Sequence, residues 1–119
     1  QALKQALGDK KGINRYGEAT IPMDDALVRV VIDLSGRSYL SYNVDLNKEQ
    51  LGNFATENLR EFFQAMVNHG GFNLHIDLIR GSNTHHTVEA VFKAFARALK
   101  AAIEIEPRIE GIWSSKRTL

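Results

Sequence analysis

Cysteine is absent from the 119 residues, which removes disulfides and thiolate metal sites together. Any metal must therefore be held by nitrogen and oxygen, a donor set compatible with a reducing cytoplasm. Excess charge is also lacking: 15 basic against 14 acidic residues leave a formal net charge of +1. That balance gives no case for nucleic acid or an anionic membrane surface as partner. No apolar run approaches the roughly 20 residues that a membrane-spanning helix needs. No segment repeats within the chain, and none is of low complexity. An initiator Met is missing too. Ala2, Leu3, Ala6 and Leu7 form a helical stripe that Gly8 closes, but nothing caps its start. This reads as the last two turns of a helix whose beginning is missing, so the chain is expected to be a piece of something longer.

What is present suits one globular domain, with 44% hydrophobic and 24% charged residues supporting a packed core. After the basic loop Asp9-Lys10-Lys11-Gly12, an extended segment runs from about Arg15 to Pro22. Next, Val28, Val30, Ile32 and Leu34 alternate with Arg29, Val31 and Asp33, the pattern of a strand with one buried face. Ser35-Gly36 marks a turn, and Leu40, Tyr42, Val44 and Leu46 alternate in a third strand. The second and third strands are expected to pair as an antiparallel hairpin.

The period then lengthens. Phe54, Leu59, Phe62, Phe63, Met66 and Val67 fit one face of a helix that Gly70-Gly71 ends. Phe72, Leu74, Ile76 and Leu78 mark a fourth strand, and Gly81-Ser82-Asn83-Thr84 can supply a helix N-cap. A second helix is predicted from about His85 to Ile103, with the stripe Val88, Val91, Phe92, Phe95, Leu99 and Ala102. The expected fold is α+β: a four-stranded sheet in the order β-β-β-α-β-α, both helices on one face.

The chemistry concentrates at His85-His86-x-x-Glu89. In a helix, positions 85 and 89 share a face, and 86 and 89 are neighbours. His85 and His86 diverge by about 100°. They are poorly placed to share one ion but can serve two. Lys93 lies one turn beyond Glu89, so imidazole, carboxylate and ammonium line up as a site for a cation and an anionic substrate. The plainer alternative is two solvated histidines beside an ordinary i, i+4 Glu–Lys pair. The spacing differs from the HExxH of zinc peptidases, whose histidines share an ion.

Thr84-His85-His86-Thr87-Val88-Glu89 followed by Lys93-Ala94-Phe95 resembles the second histidine motif of the imidazoleglycerol-phosphate dehydratase family. The likeness extends in order and spacing through Gly8 to Gly17, Pro22-Met23-Asp24-Asp25-Ala26-Leu27, Asp33-Leu34-Ser35-Gly36-Arg37, Glu61-Phe62-Phe63-Gln64 and Leu74-His75-Ile76. It implies the second of two related halves. Residues 1–12 would be the end of a helix and connector from a missing first half, 13–105 the second-half α+β domain, and 106–119 a C-terminal phosphate-loop-like tail.

The resemblance implies a hydro-lyase of histidine biosynthesis that converts imidazole glycerol phosphate to imidazole acetol phosphate. It implies two Mn²⁺ ions per site and a homo-oligomer with sites between subunits, assembled as large cages built from trimers. Its location would be the cytoplasm, or the plastid in a plant. His85, His86, Glu89 and Glu61 would be metal ligands, with Glu89 also the acid/base. Arg15, Arg37, Lys93, Ser114, Ser115 and Lys116 would contact substrate or phosphate, and Asp24 would lie near the active site.

Departures from the family pattern define the alternatives. Many members carry histidine where Glu61 stands, and an acidic residue where Arg60 stands; here Glu61 could instead pair with Arg60 or be solvated. Trp113 replaces a proline and Arg117 a glycine around the Ser114-Ser115-Lys116 core. These changes, with the missing first half, fit a non-catalytic metal- or phosphate-binding half-domain, or a structural half that assembles with copies of itself. Asp24 could merely cap the turn after Pro22. His69 and His75 are expected to be structural or exposed.

Overall fold

A computed structural model describes residues 12–46 and 50–105, with residues 50–56 described by their backbone alone. The expected helix end at Gln1–Leu7, the connector up to Lys11, the Phe54 side chain and the tail residues Trp113, Ser114, Ser115, Lys116 and Arg117 lie outside the described residues. The elements are β1 (Tyr16–Met23), β2 (Ala26–Asp33), β3 (Tyr39–Asn43), α1 (Gln50–Gly70), β4 (Asn73–Arg80) and α2 (Thr84–Ile103). Their order is the one expected, and they form one four-stranded mixed sheet with two helices.

The strand alternation holds. Val28, Val30 and Ile32 of β2 and Leu74 and Ile76 of β4 are fully buried on one sheet face. The other face carries Arg29, Asp77 and His75, with Arg29 against Glu18 and Asn43 donating to Asp77. His75 packs its ring against Tyr39 there, with centroids 5.7 Å apart. On the covered face the two helices meet through Phe63 and Phe95, centroids 5.1 Å apart. Among the described residues, no helix is long and apolar enough to cross a membrane.

The pairing differs from expectation at one point. β2 and β3 do not form a hairpin; the sheet order is β1-β2-β4-β3, so β4 lies between them. β3 runs parallel to β4, and α1 is the crossover between them. The reason lies in the segment after β2. Asn73 Nδ2 donates to Ser35 Oγ and to the Arg37 carbonyl, and the Tyr39 amide donates to the Phe72 carbonyl. The turn at Ser35-Gly36 is thus bound to the start of β4 and carries the chain past it. The hairpin that does form joins β1 to β2, with Met23 opposite Ala26 and only Asp24 and Asp25 between.

The helix ends follow local chemistry. Gly71 takes φ 67 and its amide donates to the Val67 carbonyl, a left-handed stop that a residue without Cβ adopts freely. At the start of α2, the Asn83 side chain accepts from the His86 amide at 2.9 Å, as an N-cap should.

The stripe predicted for α2 is rotated. Its buried residues are Thr87, Ala90, Val91, Ala94, Phe95, Ala98 and Ala102, while Phe92 is 40% exposed and Val88 and Leu99 only partly buried. Alanines face the sheet because α2 lies unusually close to β1. A Cβ on Gly17 would stand 1.9 Å from the Ala98 carbonyl oxygen and 2.8 Å from the Ala102 amide. The larger rings are displaced to the seam between the helices, where Phe62 and Phe92 touch and remain 47% and 40% exposed.

This contact makes Gly17 the tightest point of the α2 seat. Gly17→Ala forces backbone apart from backbone, and overpacking that side chains cannot relieve costs about 3 kcal/mol or more. Urea unfolding should give at least that loss; a loss within about 1 kcal/mol would refute the close approach.

Candidate metal and active site at the start of α2

The start of α2 is tied to the β1–β2 hairpin by one carboxylate. Asp25 Oδ2 accepts from the Ser82 amide at 2.7 Å, the Asn83 amide at 2.9 Å and the Ser82 hydroxyl at 3.2 Å. Its Oδ1 lies 2.7 Å from His86 Nδ1. The loop between β4 and α2 can approach this closely because Gly81 has no side chain: a Cβ there would come within 3.1 Å of Ala26 and Thr87.

These bonds set the charges. The hydrogen bond to His86, then those from the Ser82 and Asn83 backbone, hold the Asp25 carboxyl well below the usual carboxylate range. The His86 imidazole is raised above its ordinary value, first by its hydrogen bond to Asp25 and then by the charges of Asp24, Asp25 and Glu89, against some desolvation. A metal bound through His86 would compete with a proton for the ring, so binding would be weaker at low pH.

Two imidazole–carboxylate pairs face outward. His86 Nε2 lies 3.5 Å from Asp24 Oδ2, and His85 Nε2 lies 3.6 Å from Glu89 Oε1. Lys93 Nζ stands 3.5 Å from the other Glu89 oxygen. Their side chains range from 31% exposed at His86 to 84% at His85, so none of this group fills the core. The His85 and His86 rings diverge, with centroids 6.3 Å apart. Divalent ions bond nitrogen and oxygen donors at roughly 2.0–2.2 Å, so two donors of one shell sit a little over 3 Å apart. Each pair is close to that spacing and of suitable chemistry, and the two pairs point to separate positions. Neither pair is a complete ligand set: among the described residues, no three His, Asp or Glu side chains converge on one point.

The remaining expected residues lie elsewhere. Glu61 is exposed on α1 and is not drawn into either pair, and its neighbour Arg60 lies over the Tyr42 ring at 5.2 Å. Arg15 and Arg37 sit at the opposite end of the sheet. Arg15 Nε bonds Asp33 Oδ1 at 2.7 Å, and its amide donates to Ala102 near the end of α2. The eight residues of β1 separate that end from the histidines, roughly 25 Å at about 3.3 Å per residue. Ser114, Ser115 and Lys116 lie outside the described residues.

Asp25 escaped the sequence reading, which considered only Asp24. The available signal was an acidic pair in a two-residue connection. It becomes informative only once β1 and β2 are known to be the hairpin, because that puts both carboxylates at one tip.

Sequence and fold both match one family of known proteins. The family model for imidazoleglycerol-phosphate dehydratase matches residues 1–99. The chain is 76% identical over its full length to the imidazoleglycerol-phosphate dehydratase of Syntrophomonas wolfei and 57% identical to that of Geobacter metallireducens, covering 60% and 61% of those proteins. The crystal structure of the Staphylococcus aureus imidazoleglycerol-phosphate dehydratase superposes with a TM-score of 0.81 at 54% identity, over 89% of this chain and 62% of that one. The Pyrococcus furiosus enzyme, solved in complex with (S)-C348, gives 0.80 at 38% identity, over 94% and 62%. The chain thus spans about three-fifths of the length of these relatives.

The Asp25–His86 pair sets a pH window for the metal-free chain. A raised histidine contributes stability fully below its unfolded value near 6.5, lost as pH rises through the folded value. A depressed carboxylate contributes above its unfolded value near 4, lost as pH falls. The stability difference between the chain and Asp25→Asn should therefore be greatest between about pH 4 and 6.5 and shrink on both sides. Urea titrations across that range test it, and a difference independent of pH would rule it out.

Proposed function

Because the chain belongs to the imidazoleglycerol-phosphate dehydratase family, we propose that it is the second-half portion of that hydro-lyase, acting in histidine biosynthesis. The reaction removes water from imidazole glycerol phosphate to give imidazole acetol phosphate. The observation that carries the reading is the pair of outward-facing imidazole–carboxylate couples at the start of α2, His86 with Asp24 and His85 with Glu89.

In this reading His85, His86 and Glu89 would hold two Mn²⁺ ions, with Asp24 or Glu61 adding a carboxylate. Imidazole nitrogen and carboxylate oxygen are suitable donors for Mn²⁺. Ions bound there would supply Lewis acidity toward the substrate. Glu89 removes the proton from the carbon beside the departing hydroxyl, which leaves as water, and the resulting enol becomes the ketone. Lys93 presents its ammonium one turn away for the anionic end of the substrate.

Two observations support a site shared between copies. The couples are incomplete as ligand sets, and Arg15 and Arg37 lie a strand's length away from them, where they can serve the histidines of another copy or half. The exposed Phe62–Phe92 seam supports a further half lying against the helices. A homo-oligomer in the cytoplasm is the assembly this reading implies. The second reading, a non-catalytic binding half-domain, draws on Glu61 standing apart from the histidines and on Trp113 and Arg117 in the tail.

Two measurements separate the readings. The chain alone should associate and show no dehydratase activity, whereas supplying a first half should restore Mn²⁺-dependent turnover. His85→Ala and His86→Ala should each weaken Mn²⁺ binding more than about 10-fold. Full activity from a monomer of this chain would defeat the half-domain reading, and unchanged Mn²⁺ affinity in both variants would defeat the site.

A further inference from the structure

We infer that Asp25 is the positioning residue of the site: it orients the His86 ring, and so leaves Nε2 as the one ring nitrogen free to bind a metal. The inference rests on the reading of His86 as a ligand.

Asp25 divides its two oxygens between two tasks. Oδ2 is committed to the Ser82 and Asn83 amides, which donate and cannot do otherwise. Oδ1 faces His86 Nδ1 at 2.7 Å. An ionised carboxylate only accepts, so the ring must carry its proton on Nδ1. A neutral ring protonated there has its lone pair on Nε2, which points out toward Asp24. The same carboxylate holds the loop whose Asn83 side chain caps the helix at the His86 amide. Ring tautomer, ring direction and helix start are therefore set by one group.

The adjacent carboxylates thus have different roles. Asp25 is turned toward the loop and the helix start, and both its oxygens are hydrogen-bonded there although the side chain is 37% exposed. Asp24 takes the left-handed φ of 52 and stays 77% exposed, 3.5 Å from Nε2, free to share an ion with it. Sequence alone cannot distinguish them, because two adjacent aspartates differ only in which way the turn points each.

Replacing Asp25 by Asn gives a specific outcome. The two backbone amides still require an acceptor, so the Asn oxygen faces them and its NH₂ group faces Nδ1. Nδ1 must then accept, and the proton moves to Nε2, the ligating atom. In long-range ¹H–¹⁵N NMR of the metal-free chain, above the pH at which His86 is charged, His86 should be protonated on Nδ1. In Asp25→Asn it should be protonated on Nε2, and Mn²⁺ affinity measured by calorimetry should fall about 10- to 100-fold. Asp24→Asn should keep the Nδ1–H tautomer while also weakening Mn²⁺.

An Nε2–H tautomer in the unsubstituted chain overturns the inference without needing any variant to fold. Asp25→Asn with unchanged tautomer and affinity also overturns it, while His86→Ala losing Mn²⁺ would leave the ligand reading standing. Mn²⁺ affinity unaffected by His86→Ala removes the ligand reading and the inference with it.

Discussion

The Asp25 carboxylate has two oxygens and meets four donors: the Ser82 amide and hydroxyl, the Asn83 amide and His86 Nδ1. Those donors come from the loop after β4 and from the first turn of α2, while Asp25 itself sits at the tip of the β1–β2 hairpin. Charge-assisted bonds to amides and imidazole are among the stronger hydrogen bonds a protein makes. Without this one group, hairpin tip, loop and helix start would have little reason to keep one mutual geometry, and the His86 ring would have no fixed direction.

The tip meets the helix start only because the rest of α2 is seated correctly. Ala90, Ala94, Ala98 and Ala102 turn the sheet-facing side of the helix into a shallow surface, and Gly17 removes the remaining obstacle. The helix then lies along β1 and β2, its end at Arg15 and its start at Asp25. Close packing by small residues sacrifices buried area per residue, but it sets the distance between layers more rigidly than large side chains, which can choose among rotamers. The aromatic rings that a simple amphipathic reading would bury against the sheet are relegated to the seam between the helices.

The placement of charge has the same logic. Asp24, His85, His86 and Glu89 gather at one end of the sheet, while Arg15 and Arg37 lie at the other, with Arg15 held against Asp33. A single copy brings these ends no closer than the length of a strand. Under the proposed reading, copies or halves arranged head to tail would bring them together, and the ligand pairs seen among the described residues would then be one part of a shared site.

Much of this was legible in the residues. Period-two alternation marked β2, β3 and β4, period 3.6 marked both helices, and His85-His86-x-x-Glu89 with Lys93 announced the chemistry, because local spacing alone dictates which side chains share a face. The parallel placement of β3 beside β4 was not legible. Strand pairing is a contest between distant segments, and the bonds from Asn73 to Ser35 and Arg37 that decide it cross the fold. The rotation of the α2 stripe was hidden likewise, since it depends on Gly17, a residue of another element. The sequence by itself determined the elements, the buried strand faces and the residue types of the site. The tertiary structure alone decided that Asp25 rather than Asp24 grips His86, because hydrogen bonds at 2.7 Å depend on the direction of a turn and no spacing rule encodes that.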